Sequence, residues 1–158
     1  MINIFGEEEF KPLVRYGKKI PCYFISKDGR VYSSKSNKFI YVTKRREFNG
    51  RLKECKIDVC VPKDLFTDYT HSRRGSSSPR MTISVHRGVM ETYKSIDDNP
   101  PIPKEDWDMC PESAKQWIRD TAIIDHIDDD PTNNHVDNLR WVVPKDNQSH
   151  RKKHDQNS

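Results

Sequence analysis

The chain has 158 residues, of which 33% are hydrophobic and 33% are charged, and it carries a formal net charge of +4. This length fits one domain or two small ones, and the low apolar content excludes a large hydrophobic core. No stretch approaches the roughly 20 apolar residues that a membrane-spanning helix needs, and the first residues lack the basic and apolar regions of a secretory signal. We therefore expect an intracellular, cytoplasmic protein.

The cations lie in short clusters, although the net charge is modest. Three clusters stand out: Lys44-Arg45-Arg46, Arg73-Arg74 with Arg80, and Arg151-Lys152-Lys153. Such clusters favour a polyanionic partner and make its binding depend on salt. On their own, they are equally typical of an ordinary solvated surface.

The cysteines are scattered along the chain at Cys22, Cys55, Cys60 and Cys110, and they form no CxxC pair. The spacing of Cys55 and Cys60 makes a poor zinc half-site, and no second Cys/His pair stands at a familiar distance. We therefore expect reduced thiols and no structural zinc.

Residues 1–65 are predicted to form a small antiparallel β module. Cys22–Ser26 and Val31–Ser34 are strand candidates on either side of a tight turn at Lys27–Arg30. Lys38–Lys44 is predicted to be a third strand, and the alternation in Cys55–Val61 predicts a fourth.

A polar segment rich in small residues and cations follows at residues 66–80, and it is predicted to be a flexible basic linker. Beyond it, a short strand at Met81–Val85 runs into a helix at Val85–Lys94, in which apolar residues recur every four positions. A proline-rich break at residues 97–103 separates this helix from a second one at Pro111–Asp120.

The stretch Asp125–His150 carries the residues with the clearest chemistry. An apolar triplet, Ala122–Ile124, leads into Asp125-His126; a polar loop follows, and Leu139–Val143 alternates as a second strand. A short helix is predicted over Lys145–Lys153, after a proline at a favourable first position. The predicted order is therefore strand, long loop, strand and helix.

These residue types suit phosphodiester hydrolysis, which needs an activated water and a cation on the phosphate. A histidine near its ordinary pKa of about 6.5 deprotonates water at neutral pH, which makes His126 a candidate general base. The Asp125 carboxylate is a hard oxygen ligand suited to Mg²⁺, and Asn147 could supply a second oxygen. Asn138 could accept the other ring N–H of His126, through its side chain or its backbone, and so hold the imidazole.

Three pieces of this stretch occur in a fixed order: Asp125-His126, then Asn133-Asn134…Asn138-Leu139-Arg140-Trp141, then Asp146-Asn147…His150. The ordered set resembles the HNH nuclease motif, the ββα-metal fold, in the form found in phage and intron-type HNH homing endonucleases. The resemblance implies that His126 is the general base, that Asn138 orients it, and that Asn147 binds the metal ion together with Asp125. His150, three residues further along the same helix, is a second candidate for the last ligand.

The resemblance also implies an α+β fold, in which a small antiparallel β module precedes a C-terminal ββα-metal core. Residues 1–65 resemble the β module that often precedes phage HNH domains and helps to contact DNA there. The predicted division is 1–65 for this module, 66–80 for the linker, 81–154 for the nuclease domain with 97–120 as an insertion, and 155–158 for the tail. In the same comparison His86 is predicted to be structural, Trp141 to belong to the core, and Asp128–Asp130 to the loop.

The implied function is that of a divalent-metal-dependent endonuclease, of the phage-encoded or homing kind, that cleaves duplex DNA at a recognised site with one Mg²⁺ or Mn²⁺ ion. The expected partner is double-stranded DNA, bound by the three cationic clusters and by Arg140, and the protein would act as a monomer that nicks or as a homodimer. Two alternatives stay open. One is a catalytically inactive HNH-fold regulator that only binds DNA, and the other is an HNH nuclease that acts on RNA or on branched DNA.

Overall fold

The computed structural model describes residues 9–62, 64–66 and 79–144. Its first half is built from two antiparallel sheets. The first sheet contains, in order, β1 (Phe10–Arg15), β2 (Lys18–Ser26), β3 (Val31–Ser33) and β4 (Lys38–Phe39). The second sheet contains β5 (Thr43–Arg46), β6 (Leu52–Cys60) and β7 (Arg80–Ser84).

The second half adds helices and a small two-stranded sheet. The helices are α1 (Val85–Tyr93), α2 (Lys104–Met109) and α3 (Glu112–Thr121), and the strands are β8 (Ile123–His126) and β9 (Leu139–Val142), with a short 3-10 helix (Val136–Asn138) before β9. The chain is therefore a mixed α+β fold with N-terminal antiparallel sheets, as predicted. Within the described ranges, no helix has the length and apolar character needed to cross a membrane.

The turn between β2 and β3 has the predicted position. Gly29 donates its N–H to the Ser26 carbonyl at 3.1 Å, and the Ser26 N–H reaches the Arg30 carbonyl at 2.9 Å. Gly29 has a φ of +89°, which is the left-handed position of a three-residue hairpin loop. The first hairpin of the predicted β module is therefore confirmed.

The predicted third strand, Lys38–Lys44, was wrong as a single element. Lys38–Phe39 pairs with β3 in the first sheet, whereas Thr43–Arg46 pairs with β6 in the second. Between the two, Ile40 and Val42 pack against the core, so the chain crosses from one sheet to the other there. The predicted fourth strand is present, and it begins earlier, at Leu52.

Helix α1 lies where its periodicity predicted it, and it packs closely on the first sheet. Val85 and Val89 are buried on it. A Cβ added to Gly88 would lie 3.1 Å from side-chain carbons of Leu13 and Ile25, so the glycine allows the helix to approach these strands. The core therefore forms between α1 and the sheets.

Strand β7 pairs with β6 over the register Lys56–Ser84 to Cys60–Arg80. The predicted boundary between the linker and the nuclease domain, at residues 80 and 81, falls inside β7 of this sheet. One hydrophobic cluster also contains residues from both sides of that boundary, such as Ile25, Val89 and Leu139. The division into domains stays a prediction, and most of the predicted linker lies outside the described residues.

The two strands predicted around the long loop are confirmed as β8 and β9. They pair antiparallel, with Asp125 opposite Arg140 and His126 opposite Leu139. The loop between them, residues 127–138, connects the end of β8 to the start of β9, which pairs with it. The predicted helix Lys145–Lys153 lies outside the described residues.

Candidate active site

Strand β8 ends in the two residues that the sequence singled out, Asp125 and His126. Arg140 on β9 stands directly opposite Asp125, and its guanidinium donates to Oδ2 of that carboxylate from Nε at 2.9 Å and from Nη2 at 2.8 Å. The Asp125 side chain is only 12% exposed, whereas that of Arg140 is 50% exposed. The ladder therefore presents a nearly buried carboxylate with a cation beside it at the surface.

The imidazole of His126 is held by a buried asparagine. Its Nε2 lies 2.8 Å from Oδ1 of Asn134, a residue that is 4% exposed. An amide oxygen only accepts hydrogen bonds, so this contact requires a proton on Nε2. In the neutral ring, Nδ1 is then the nitrogen with the free lone pair, which is the atom a general base uses.

The predicted contact between Asn138 and His126 was wrong, because Asn138 holds the loop instead. Its Nδ2 donates at 2.9 Å both to Oδ1 of Asp128 and to the Asn133 carbonyl, and its Oδ1 accepts the Asp128 N–H at 3.1 Å. Its backbone carbonyl accepts the N–H of Ile127 at 2.8 Å. Asn138 therefore ties the two ends of the loop together, and Asn134, four residues earlier, makes the contact that was assigned to it.

The acidic run in this loop is structural, as predicted. Asp128 accepts the N–H of Asp130 at 2.9 Å, and Asp130 accepts both the N–H and the hydroxyl of Thr132, at 2.9 and 2.7 Å. These are the local turns that Asp side chains commonly form. Hydrogen bonds lower the pKa of both carboxyls. The largest contribution comes from Asn133 for Asp128 and from Thr132 for Asp130.

A second histidine, His86 at the start of α1, lies against His126. The two ring centroids are 5.3 Å apart, and the planes meet edge-on at 70°. Burial, together with the neighbouring His126 and Arg87, lowers the pKa of His86 to about 4. His86 is therefore neutral at pH 7 and supplies a flat, uncharged surface to the candidate base. The sequence placed it on the predicted helix, but 40 residues of chain separate the two histidines and no spacing rule connects them.

Comparison with known proteins agrees with this geometry. Residues 98–149 match the model of the HNH endonuclease family, and the match includes most of the segment predicted to be an insertion. Over 128 residues the chain is 28% identical to an uncharacterized HNH endonuclease of Acanthamoeba polyphaga mimivirus, an alignment that covers 81% of the chain. This part of the chain is therefore similar to HNH endonucleases. The chain spans 26% of the length of the mimivirus protein.

The fold of the chain is also similar to a solved structure described as DNA binding and cleavage by the HNH homing endonuclease I-HmuI. The TM-score is 0.52 at 22% sequence identity, and the similarity covers 92% of this chain and 59% of that one. At this identity the likeness concerns the fold. It extends well beyond the matched HNH segment, to the N-terminal sheets.

The predicted metal ligands of the HNH motif are described only in part. Asp125 lies at the end of β8, while Asn147 and His150 lie outside the described residues. Within residues 9–62, 64–66 and 79–144, no three His, Cys, Asp or Glu side chains gather as metal ligands. The single hard carboxylate of Asp125, next in sequence to the candidate base His126, is of a type that fits Mg²⁺, which takes one or two protein carboxylates and keeps several waters.

The predicted DNA-binding cations fall into three groups. Lys44, Arg45 and Arg46 lie on β5 and are exposed, Arg80 is half-buried at the start of β7, and Arg140 pairs with Asp125. The remaining predicted cations lie outside the described residues; they are Arg73, Arg74, Arg151, Lys152 and Lys153. The structure thus places the first cluster on one strand of a hairpin at the sheet edge.

Proposed function

We propose that this chain is a divalent-metal-dependent HNH endonuclease that hydrolyses phosphodiester bonds in duplex DNA at a recognised site. The observation that carries the proposal is the hydrogen bond from His126 Nε2 to Asn134. It leaves Nδ1 as the basic atom of the residue that follows Asp125 at the end of β8. The similar structure of the homing endonuclease I-HmuI, which binds and cleaves DNA, supports the choice of substrate.

In the proposed reaction, Nδ1 of His126 accepts a proton from a water molecule as its oxygen attacks the phosphorus. The ring gains a positive charge in that step, and the Asn134 oxygen stabilises it because the bond from Nε2–H becomes charge-assisted. Asp125 and Asn147 would hold a divalent cation, which supplies charge stabilisation at the scissile phosphate and the leaving oxygen when bound. The half-exposed guanidinium of Arg140, which pairs with Asp125, is proposed to contact the same phosphate.

The proposed DNA contact outside the active site is the hairpin of β5 and β6. Residues 43–56 contain six Lys or Arg and two Glu, and every residue of β5 is exposed. Lys44, Arg45 and Arg46 are thus three consecutive exposed cations next to the turn at residues 47–51, and Arg45 also pairs with Glu54 at 3.5 Å. A two-stranded ribbon fits the major groove of B-DNA, which is roughly 12 Å wide, and cations on such a ribbon reach the phosphates.

The test is conversion of supercoiled plasmid in Mg²⁺ or Mn²⁺ and in EDTA, with His126→Ala and His135→Ala beside the unmodified chain. His135 is a suitable control because it lies in the same loop, is exposed, and bonds only locally to Asp137. We expect metal-dependent cleavage that His126→Ala abolishes and His135→Ala retains. Open circles would indicate a nicking monomer, and linear product would indicate paired cuts.

Other outcomes separate the alternatives. Salt-sensitive DNA binding without any cleavage, across several DNA sources and both metals, would contradict the nuclease and favour the regulator. Cleavage of structured RNA or of branched DNA, with duplex plasmid left intact, would keep His126 as the base and change the substrate. Cleavage that survives His126→Ala would refute the assigned base.

A further inference from the structure

The turn between β2 and β3, residues Ser26–Arg30, touches the active-site loop although it belongs to the N-terminal sheet. The Lys27 carbonyl accepts the N–H of Val136 at 2.8 Å. A Cβ added to Gly29 would lie 3.3 Å from Cβ of Asn134 and 2.7 Å from Cγ1 of Val85. The turn thus contacts both the loop that carries Asn134 and the first residue of α1.

These contacts form a short path to the candidate base. Gly29 packs on Asn134, and Asn134 in turn bonds Nε2 of His126 at 2.8 Å. On the other side, Val85 is the neighbour of His86, whose ring meets that of His126. The one turn therefore contacts Asn134 itself and the residue next to His86.

We infer that the β2–β3 turn is a positioning element of the active site: it fixes Asn134, and through Asn134 it fixes the orientation and the tautomer of His126. The inference rests on the proposed function, because it concerns the base of that reaction. Gly29 and Lys27 touch neither substrate nor metal in this assignment. Their role is exerted through Asn134.

The turn is built rigidly enough for this role. The buried hydroxyl of Ser26 bonds the Asp28 carboxylate and accepts the N–H of Arg30 at 3.0 Å. Nε of Arg30 reaches both oxygens of Asp28 at 3.1 Å, and its Nη2 reaches Glu9 at 2.6 Å. Side chains and backbone thus cross-link the turn, so its contacts are made from a fixed surface.

Glycine at position 29 is required for two separate reasons. Its φ of +89° is strained for any residue with a side chain. Its position against the side chains of Val85 and Asn134 also leaves no room for a Cβ. Gly17, in the turn between β1 and β2, has the first requirement alone. Its φ is +74°, and a Cβ added there meets no heavy atom within 4 Å. Gly17→Ala is therefore a matched control for backbone strain.

The first comparison uses Gly29→Ala and Gly17→Ala in the full chain, with ¹⁵N-labelled histidine. The tautomer of His126 is read from its ring nitrogen shifts at pH 8, above the ordinary histidine pKa of about 6.5, and His126→Gln identifies the signal. We expect the unmodified chain and Gly17→Ala to show a proton on Nε2, and Gly29→Ala to show a mixture of tautomers. In plasmid nicking, the maximal rate of Gly29→Ala should fall about tenfold to a hundredfold at unchanged half-saturation by DNA.

A second pair of variants tests the Lys27 contact. It also tests whether the turn positions His126 if Gly29→Ala does not fold. Val136 is the first residue of the 3-10 helix, a place that accepts proline, and the preceding His135 has the extended ψ of 138° that proline requires. Val136→Pro removes the N–H that bonds Lys27, whereas Val136→Ala keeps it and shortens the side chain. We expect the tautomer to become mixed in Val136→Pro and to stay fixed in Val136→Ala.

The outcomes distinguish the two proposals. If Val136→Pro and folded Gly29→Ala keep the tautomer and the maximal rate of their controls, the turn does not position His126, and the inference is overturned while the nuclease stands. If the unmodified chain cleaves no nucleic acid, the tautomer measurement still tests whether the turn positions His126. A mixture of His126 tautomers in Gly29→Ala and Val136→Pro, but not in their controls, would then support the positioning role. Only the proposed function would fail.

Discussion

The histidine beside the proposed base, His86, makes the stability of this protein depend on pH. Burial lowers its pKa to about 4 in the folded chain, whereas an exposed histidine has a pKa of about 6.5. As the pH falls below 6.5, the unfolded chain takes up a proton at this position and the folded chain does not. The stabilisation is therefore complete above pH 6.5 and is lost as the pH falls toward 4.

The difference between these two pKa values sets the size of the pH-dependent change in the free energy of unfolding. Between pH 7 and pH 5, linkage lowers the free energy of unfolding by about 2 kcal/mol through His86 alone, and the loss reaches about 3 kcal/mol at pH 4. His86→Phe keeps a flat ring against His126 and cannot take up a proton. The difference in stability between the variant and the unmodified chain should therefore move by about 2 kcal/mol in favour of the variant from pH 7 to pH 5.

The assay is urea unfolding at pH 7, 6 and 5 at constant ionic strength, with His135→Ala as a second variant. The carboxyl groups with shifted pKa values are common to all three chains, so they cancel in the differences. His135→Ala should follow the unmodified chain, because the His135 side chain is 43% exposed. Equal pH slopes for His86→Phe and the unmodified chain would refute the reasoning, since they would mean that His86 is protonated alike in both states.

Three further predictions follow from the site and the hairpin. Asn134→Ala should lower the maximal nicking rate roughly a hundredfold at unchanged DNA affinity, measured by single-turnover kinetics, because the base loses its orienting acceptor. Asn138→Ala removes the side-chain hydrogen bonds that close the loop, so the free energy of unfolding should fall by about 1–3 kcal/mol in thermal unfolding. An unchanged midpoint of the thermal transition would contradict the structural role of Asn138. Replacing Lys44, Arg45 and Arg46 together by alanine should reduce the slope of log affinity against log salt by about 2.7 if each neutralises one phosphate.

The elements that local pattern determines were predictable from the sequence. The β2–β3 hairpin follows from a glycine-containing turn between two alternating segments, and α1 follows from its apolar period. The same holds for β8 and β9, because each carries its own alternation. The sequence pattern also placed Asp125 and His126 correctly at the end of a strand, β8.

What failed depends on contacts between distant parts of the chain. Lys38–Lys44 has the composition of one strand, but composition does not say which sheet each half joins. Asn138 and Asn134 are the same residue type in one loop, and the order along the chain does not reveal which of them faces the imidazole when that loop doubles back. His86 was placed on the right helix, and only the packing of that helix brings it to His126.

The residues proposed to carry the chemistry and the residues that pack on them occupy different parts of the chain. The family match covers residues 98–149, which include His126, Asn134 and Asp125. His86 and Gly29, which pack on the first two of these, lie outside that range. A segment of about 50 residues buries too little surface to hold a neutral histidine and a buried amide in one arrangement on its own. The turn between β2 and β3 and helix α1 therefore supply the candidate site with packing contacts from outside the matched segment.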